Sequence, residues 1–303
     1  MPHVLESLPN GGRVAVIRLR SLGDCVLTTP ALAILKQSRP DLEVGIVVED
    51  RFRAVFEGNP DLSAILPPSH GLLRRWRPHL CLNLHGGGTS ARLTALAGAR
   101  WRAGFAHFRY DFLYDIRIPR AQEILGVERT VHTAEHLAAA MFYLGAPRVE
   151  IPRARLFAAD RPAGPPYAVI HPYASEPAKT WRSSGFCKVA EYLEQSFGLE
   201  PVFIAGPGEE LSAFARWRTQ VGAPLGELKS LLRRASLFVG NDSGPAHMAA
   251  AFGLPVVAIF GNSDREVWRP WKTPSEVIWS PQGIRSVTDE QVLEALERLR
   301  VHA

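Results

Sequence analysis

The segment from Phe238 to Gly261, Phe-Val-Gly-Asn-Asp-Ser-Gly-Pro-Ala-His-Met-Ala-Ala-Ala-Phe-Gly-Leu-Pro-Val-Val-Ala-Ile-Phe-Gly, admits few folds. Gly244 suits a tight turn, Pro245 a first helical position and Gly253 a C-terminal cap, while Val256 to Phe260 is a β-branched run. The pattern is one βαβ unit of a parallel sheet. Its turn sets Asp242, Ser243 and the first backbone N–H groups from Gly244 onward at a helix N-terminus, where a diphosphate is stabilised. His247 lies one step into the helix and can donate to the same anion. The alternative is that Asp242 or Ser243 only caps the helix and His247 is a packed side chain.

The same alternation runs through both halves of the chain. In the first, Arg13 to Leu19, Val44 to Val48, Ala64 to Leu66 and Leu80 to His85 read as strands. Helices are expected at Pro30 to Ser38, Arg51 to Phe56, Gly71 to Arg77, Ala91 to Ala97 and Val131 to Leu144. Residues 152–166 contain four prolines and little periodicity, which marks a linker. Beyond it, strands are expected at Tyr167 to His171, Pro201 to Ala205 and Leu237 to Val239. Helices are expected at Gly185 to Phe197, about Glu210 to Gln220, Gly226 to Arg234 and Thr288 to Arg300. The 303 residues, 46% of them apolar, suffice for two cores. The expected fold is α/β, with two Rossmann-like doubly wound domains, 1–155 and 156–303, facing each other across a cleft. The last helix carries Val292, Leu293, Leu296 and Leu299 at helical spacing, and packing back onto the first domain is one arrangement open to it.

Three widely spaced cysteines, Cys25, Cys81 and Cys187, argue for a reducing compartment and against a disulfide framework or a zinc site. No signal-peptide pattern or transmembrane run is present, so a cytoplasmic location is expected, with a basic surface able to hold the protein against an anionic membrane. Residues 1–155 hold 20 Lys and Arg against 14 Asp and Glu, a balance of +6, whereas the rest of the chain stands at −1. An acidic partner is therefore expected in the first half, unless the 30 arginines among the 35 basic residues reflect a codon preference.

Candidate site residues sit where strands end. Asp24, in Arg20-Ser-Leu-Gly-Asp24, follows the first strand, where open α/β sheets place ligands; a helix cap is the alternative. Gly86-Gly-Gly88 follows another strand and allows close approach of a ligand, or is only a flexible turn. Trp101 to Pro119 is rich in aromatics and arginine, a core or a sugar platform. The long loop after Tyr167 to His171 presents Lys179, Thr180, Arg182 and Ser183, which can wrap a phosphate from the side opposite the helix. Arg51, Arg53, Arg74, Arg75 and Arg77 cluster near loops expected to rim the cleft.

Nearly the whole chain resembles the heptosyltransferase family of glycosyltransferases. The resemblance is carried by Ile17-Arg-Leu-Arg-Ser-Leu-Gly-Asp24 with Thr29-Pro-Ala-Leu32, by Lys179-Thr-Trp, and by Leu225 to His247 with Gly253 to Gly261. It implies a GT-B architecture with the acceptor on the first domain and the nucleotide sugar, ADP-heptose, on the second, without metal or cofactor. The reaction implied is inverting transfer to the inner core of lipopolysaccharide, an anionic glycolipid; nucleic acid is not an expected partner. Asp24 falls on the family's general base, and Lys179, Ser243, Gly244 and His247 fall on its diphosphate ligands, with Thr180 beside them. Asp242 matches the carboxylate near the sugar hydroxyls. Glu209 and Glu210 both fit the carboxylate aimed at the ribose. Asn83-Leu-His-Gly stands where Asp-Leu-Gln-Gly is usual, so His85 joins Arg51, Arg53, Arg74 and Arg75 as an acceptor candidate. Related glycosyltransferases with another donor or acceptor, and sugar-nucleotide epimerases, share these features. A nicotinamide-binding fingerprint is not met, because Gly206-Pro-Gly-Glu-Glu-Leu211 lacks its third glycine.

Overall fold

Runs such as Val14 to Ile17, Leu80 to Asn83 and Tyr167 to His171 have almost no polar face, so as strands they need cover on both sides, and all of their residues are buried. The structure, a computed structural model, describes residues 4–159 and 164–301. It divides into two units, Met1–Phe157 and Ala158–Ala303.

The first unit runs α1 (Val4–Ser7), β1 (Arg13–Ile17), α2 (Leu22–Ser38), β2 (Glu43–Val47), α3 (Arg53–Phe56), β3 (Ala64–Leu66), α4 (His70–Trp76) and β4 (Leu80–Asn83). It continues with α5 (Gly88–Leu96), β5 (Trp101–Phe105), β6 (Ile116–Ile118), α6 (Ala121–Leu125) and α7 (Thr133–Leu144). The second unit runs β7 (Tyr167–His171), α8 (Ser183–Tyr192), β8 (Glu200–Ala205), β9 (Arg218–Val221), α9 (Leu225–Leu232) and β10 (Leu237–Asn241). It ends with α10 (Gly244–Phe252), β11 (Val256–Ile259), α11 (Arg265–Trp268), β12 (Ser275–Ile278) and α12 (Asp289–Val301).

Each unit is built on a six-stranded parallel sheet, in the orders β3-β2-β1-β4-β5-β6 and β12-β11-β10-β7-β8-β9. Numbered from its own first strand, each unit follows the order 3-2-1-4-5-6. The chain therefore reverses direction across the sheet between β1 and β4 in one unit and between β7 and β10 in the other. A crevice opens at such a point beyond the carboxyl ends of the two strands.

Several elements differ from the sequence expectation. The first long helix starts at Leu22, not at Pro30, because Ser21 and Asp24 form a capping interaction that begins it early and Pro30 is carried in its interior. Residues 210–220 are not a helix. Leu211 and Phe214 are buried on a turn and a short 3₁₀ segment, whose three-residue period mimics helical spacing, and Arg218–Val221 is a polar edge strand. Strands β5, β6 and β12 were not expected. The stripe on α12 is filled by its own unit: Val292, Leu296 and Leu299 join Phe186, Val189, Leu193 and Val257 in one core, and Asp289 binds Lys188 at 2.6 Å.

Candidate functional site

At the β7/β10 switch point the chain leaves β10 through Asp242 and Ser243 into α10, with Pro245 in the first turn and Gly253 closing the helix in the left-handed region at φ 80°. Ser243 occupies the N-cap position, yet its hydroxyl does not cap the helix. It lies 3.1 Å from Nδ1 of His171, the last residue of β7. Burial holds His171 far below the usual histidine range, at about 4, so the ring is neutral near pH 7. Strand β7 and helix α10 are thus tied across the crevice by a neutral pair, and the helix N-terminus stays open to an anion.

Lys179 ends a short 3₁₀ turn, Pro177–Lys179, whose position is set by three buried attachments. Trp181 N donates to Asn241 Oδ1 at 3.0 Å, Asn241 Nδ2 donates to the Pro172 carbonyl at 2.9 Å, and Trp181 Nε1 donates to the Val287 carbonyl at 2.9 Å. The loop also passes so close to the end of β11 that a β-carbon at Gly261 would collide with the Ala178 carbonyl. The Lys179 side chain makes no hydrogen bond or ion pair among the described residues, while its charge is felt by Asp242. Burial raises the pKa of Asp242, opposed by the neighbouring Ser263 hydroxyl and by Lys179. The structure therefore brings Lys179, Asp242, Ser243 and Gly244 to one crevice, while His247, further along α10, is buried with its ring 6.1 Å from that of Trp268. Thr180 is at the crevice too, but its hydroxyl donates to the Glu176 carbonyl at 3.0 Å. Arg182 is turned away, pairing with Asp289 and donating to the Val287 carbonyl. After β8, Glu209 closes its own turn by accepting from Gly206 N at 2.6 Å, whereas Glu210 is exposed.

At the β1/β4 switch point Asp24 is the third residue of α2. Its Oδ1 accepts from Arg18 Nη1 at 3.1 Å, and its Oδ2 accepts from Ser21 N at 3.3 Å and Ser21 Oγ at 2.9 Å. The cap expected as an alternative is therefore present together with an ion pair. The Arg18 side chain is buried, and desolvation lowers its pKa against the pull of Asp24. Asn83 ends β4 and organises the next turn, accepting from His85 N at 2.9 Å and Gly86 N at 3.1 Å while donating to Tyr114 Oη at 2.8 Å and Ser90 Oγ at 3.1 Å. Burial, then Arg18, lowers the pKa of His85, with Asp24 opposing, so His85 and Asp24 share one electrostatic environment. The glycine turn has a packing reason: Gly86 has φ 86°, and Phe108 covers it closely enough to exclude a β-carbon.

Arg51 and Arg53 follow β2 at the same sheet edge as Asp24, but each has an acidic partner, Glu49 at 2.7 Å and Glu57 at 3.4 Å. Arg74 and Arg75 lie at the other edge. Helix α4 runs back toward the strand starts, where its last residue, Trp76, accepts at its carbonyl from Arg13 at 3.0 Å, and Arg74 packs beside Gly98. The expectation that they rim the site with Asp24 is corrected by that direction of the helix. His171, Asn241 and Arg18 were given no role from the sequence, and Asn83 was noted only as a departure from the usual Asp-Leu-Gln-Gly; the available signal was a polar residue closing or following an otherwise apolar strand.

Comparison with known proteins follows this geometry. Lipopolysaccharide heptosyltransferase 3 of Escherichia coli is 27% identical, the match covering 86% of this chain and 87% of that protein. Among solved structures, a glycosyl transferase family 9 protein from Veillonella parvula superposes with a TM-score of 0.86 at 20% identity over 97% of this chain and 98% of that one. The E. coli ADP-heptose lps heptosyltransferase II gives 0.80 at 20% identity over 96% and 99%. These folds share the GT-B arrangement of two Rossmann-like units. The model of glycosyltransferase family 9 (heptosyltransferase) matches residues 72–295, and the chain belongs to that family of glycosyltransferases.

Proposed function

We propose that the protein transfers a heptose from ADP-heptose to the inner core of lipopolysaccharide, with inversion at the anomeric carbon and without a metal ion. The second unit binds the donor: Lys179, Ser243, Gly244, His247 and the Thr180 segment meet the diphosphate, Asp242 meets sugar hydroxyls, and Glu209 or Glu210 meets the ribose. The observation that carries the reading is the β7/β10 crevice, where a lysine side chain without an ion pair acts on Asp242, just before a helix N-terminus that the Ser243 side chain does not cap. Asp24 takes the proton from the acceptor hydroxyl as its oxygen attacks, and ADP departs with its charge met by Lys179 and α10. Arg51, Arg53 and His85 lie at the edge that holds Asp24 and are the acceptor contacts of this reading. None of the described helices is long and apolar enough to cross a membrane. The reading places the enzyme at the cytoplasmic face of the inner membrane, on its anionic glycolipid acceptor.

The test is incubation of the protein with labelled ADP-heptose and a heptose-free core acceptor, followed by mass spectrometry and NMR of the product. An acceptor heavier by one heptose with inverted anomeric configuration, formed equally in EDTA, is expected. Label recovered only in an isomer of the donor would overturn transfer, and loss of activity in EDTA would overturn the metal-free part.

A further inference from the structure

We propose that the second unit carries another ligand site, for a sugar bearing a phosphate or carboxylate, in the cavity between the segments that follow β11 and β12. The cavity measures about 710 Å³, within the range of small-molecule sites. It lies at the carboxyl ends of β11 and β12, and on its inner side Pro177 and Ala178, from the turn that ends at Lys179, complete the lining, so it adjoins the β7/β10 switch point assigned to the nucleotide. This inference does not depend on that assignment.

Two arginines line the cavity, Arg265 after β11 and Arg285 after β12. Neither side chain has an ion pair or hydrogen bond among the described residues. Arg182, Arg216, Arg218 and Arg298 of the same unit are each paired with a carboxylate. Of the two acids flanking Arg265 in sequence, Asp264 and Glu266, the first lines the cavity and accepts from Glu266 N at 2.9 Å to cap α11. The guanidinium of Arg265 sits over the ring of Trp279, 3.5 Å from its centroid. Stacking fixes the plane of the guanidinium while leaving its N–H edges able to take a carboxylate or phosphate through paired hydrogen bonds.

The rest of the lining suits a sugar. Trp279 is 40% exposed and offers an apolar surface to a pyranose, while the side-chain amides of Asn262 and Gln282 can both donate to and accept from hydroxyls. Two cations, one from each segment, outnumber the lining carboxylate of Asp264 and favour an anion, while a neutral sugar gains no comparable attraction.

The full-length protein is titrated by calorimetry with glucose 6-phosphate, glucuronate, glucose and inorganic phosphate, each with and without saturating ADP. Glucose 6-phosphate or glucuronate should bind at least tenfold more tightly than glucose, with unchanged affinity when ADP is present, and which of them binds distinguishes a phosphate from a carboxylate ligand. Arg265→Ala with Arg285→Ala should remove at least tenfold of that affinity and leave ADP binding unchanged. Arg285→Ala alone, at an exposed position, gives the same direction should the double variant fold poorly. Equal binding of glucose, displacement by ADP, or unaltered binding in Arg285→Ala would overturn the site; inorganic phosphate binding as tightly as glucose 6-phosphate would overturn its sugar character. A failure of ADP itself to bind would count against the proposed donor site while leaving these titrations decisive.

Discussion

Where β1 and β4 end, Asp24 is held by Arg18 and Ser21, Asn83 by Tyr114 and Ser90, and Arg51 and Arg53 by neighbouring glutamates. Where β7 and β10 end, Ser243 is tied to His171, but Lys179 makes no ion pair and the start of α10 is not capped by the Ser243 side chain. The two sheets share one strand order, so the contrast does not come from topology. On the proposed reading it comes from what each crevice is built to meet. A group that is to move a proton must be held in one place, and the first unit holds Asp24 through both oxygens. A crevice that is to bind a dianion must keep positive ends unsatisfied until the ligand arrives, and in the second unit the Lys179 side chain has no partner among the described residues.

The strongest break of this comparison is Asp24→Asn. The amide keeps a similar shape and can still accept from Ser21, yet it cannot take a proton at neutral pH. Turnover should fall by roughly 10²–10⁴-fold, the usual reach of a general base, with ADP affinity unchanged. Because the variant also leaves the buried Arg18 without its carboxylate, a lowered melting temperature is expected alongside. Steady-state rates and calorimetry separate the two effects: near-normal turnover in a destabilised protein would make Asp24 a cap and ion-pair residue only.

The second crevice is probed through pH. His171 is held at about 4 against an ordinary value near 6.5. Between those values the unfolded chain binds a proton that the folded chain does not. Stability should therefore be flat above pH 6.5 and fall as the pH drops toward 4, by about 3 kcal/mol for this residue. His136 in the first unit is also held at about 4 by burial, followed by His107 and Arg18, and acts in the same direction there. His171→Asn should flatten the part of the slope that belongs to the second unit. Denaturant melts between pH 4 and 7 that show the same slope with and without His171 would remove it as the source.

These two sites were legible in the sequence to different depths. Strand ends mark where ligands sit in an open α/β sheet, and Asp24 and Ser243 follow strand ends at glycine-containing turns, while Lys179 lies in the long loop after β7. What holds them was not legible, because Asn241 meets Trp181 across 60 residues and His171 meets Ser243 across 72. Such pairs are created by strand order, and no local pattern encodes them. The fold shows the same division. Apolar runs such as Val256 to Ile259 announce themselves, whereas β9 is a polar edge strand and β5, Trp101–Phe105, carries an arginine and a glycine, the latter required by the packing of Tyr114.

Lys179→Ala sharpens the claim that the second crevice waits for its ligand. Removing one charge-assisted contact to a diphosphate should weaken ADP binding by about 1.5–3 kcal/mol. Stability should hardly change, since the Lys179 side chain makes no hydrogen bond or ion pair among the described residues. Calorimetry and melting measured on the same sample check both halves. A large loss of stability with unchanged ADP affinity would reverse the assignment.

The smallest effect is expected from the arginines of the first unit, and it separates the two edges of one sheet. Arg51 and Arg53 stand after β2, on the edge of Asp24, while Arg74 and Arg75 stand in the last turn of α4, beside the strand starts. If charge on the acceptor is read at the edge that holds Asp24, Arg51→Glu with Arg53→Glu should raise the Michaelis constant for an anionic acceptor by a few-fold. The change stays modest because both side chains are solvent-exposed and screened, and each already has a carboxylate partner. Arg74→Glu with Arg75→Glu should change it little. Raising the salt should weaken acceptor use in the wild type and matter less once Arg51 and Arg53 are reversed, with the constant for the donor steady throughout. If the α4 pair proves the sensitive one, the acceptor is held at the opposite edge of the sheet, and Asp24 loses its place as the base that receives the proton.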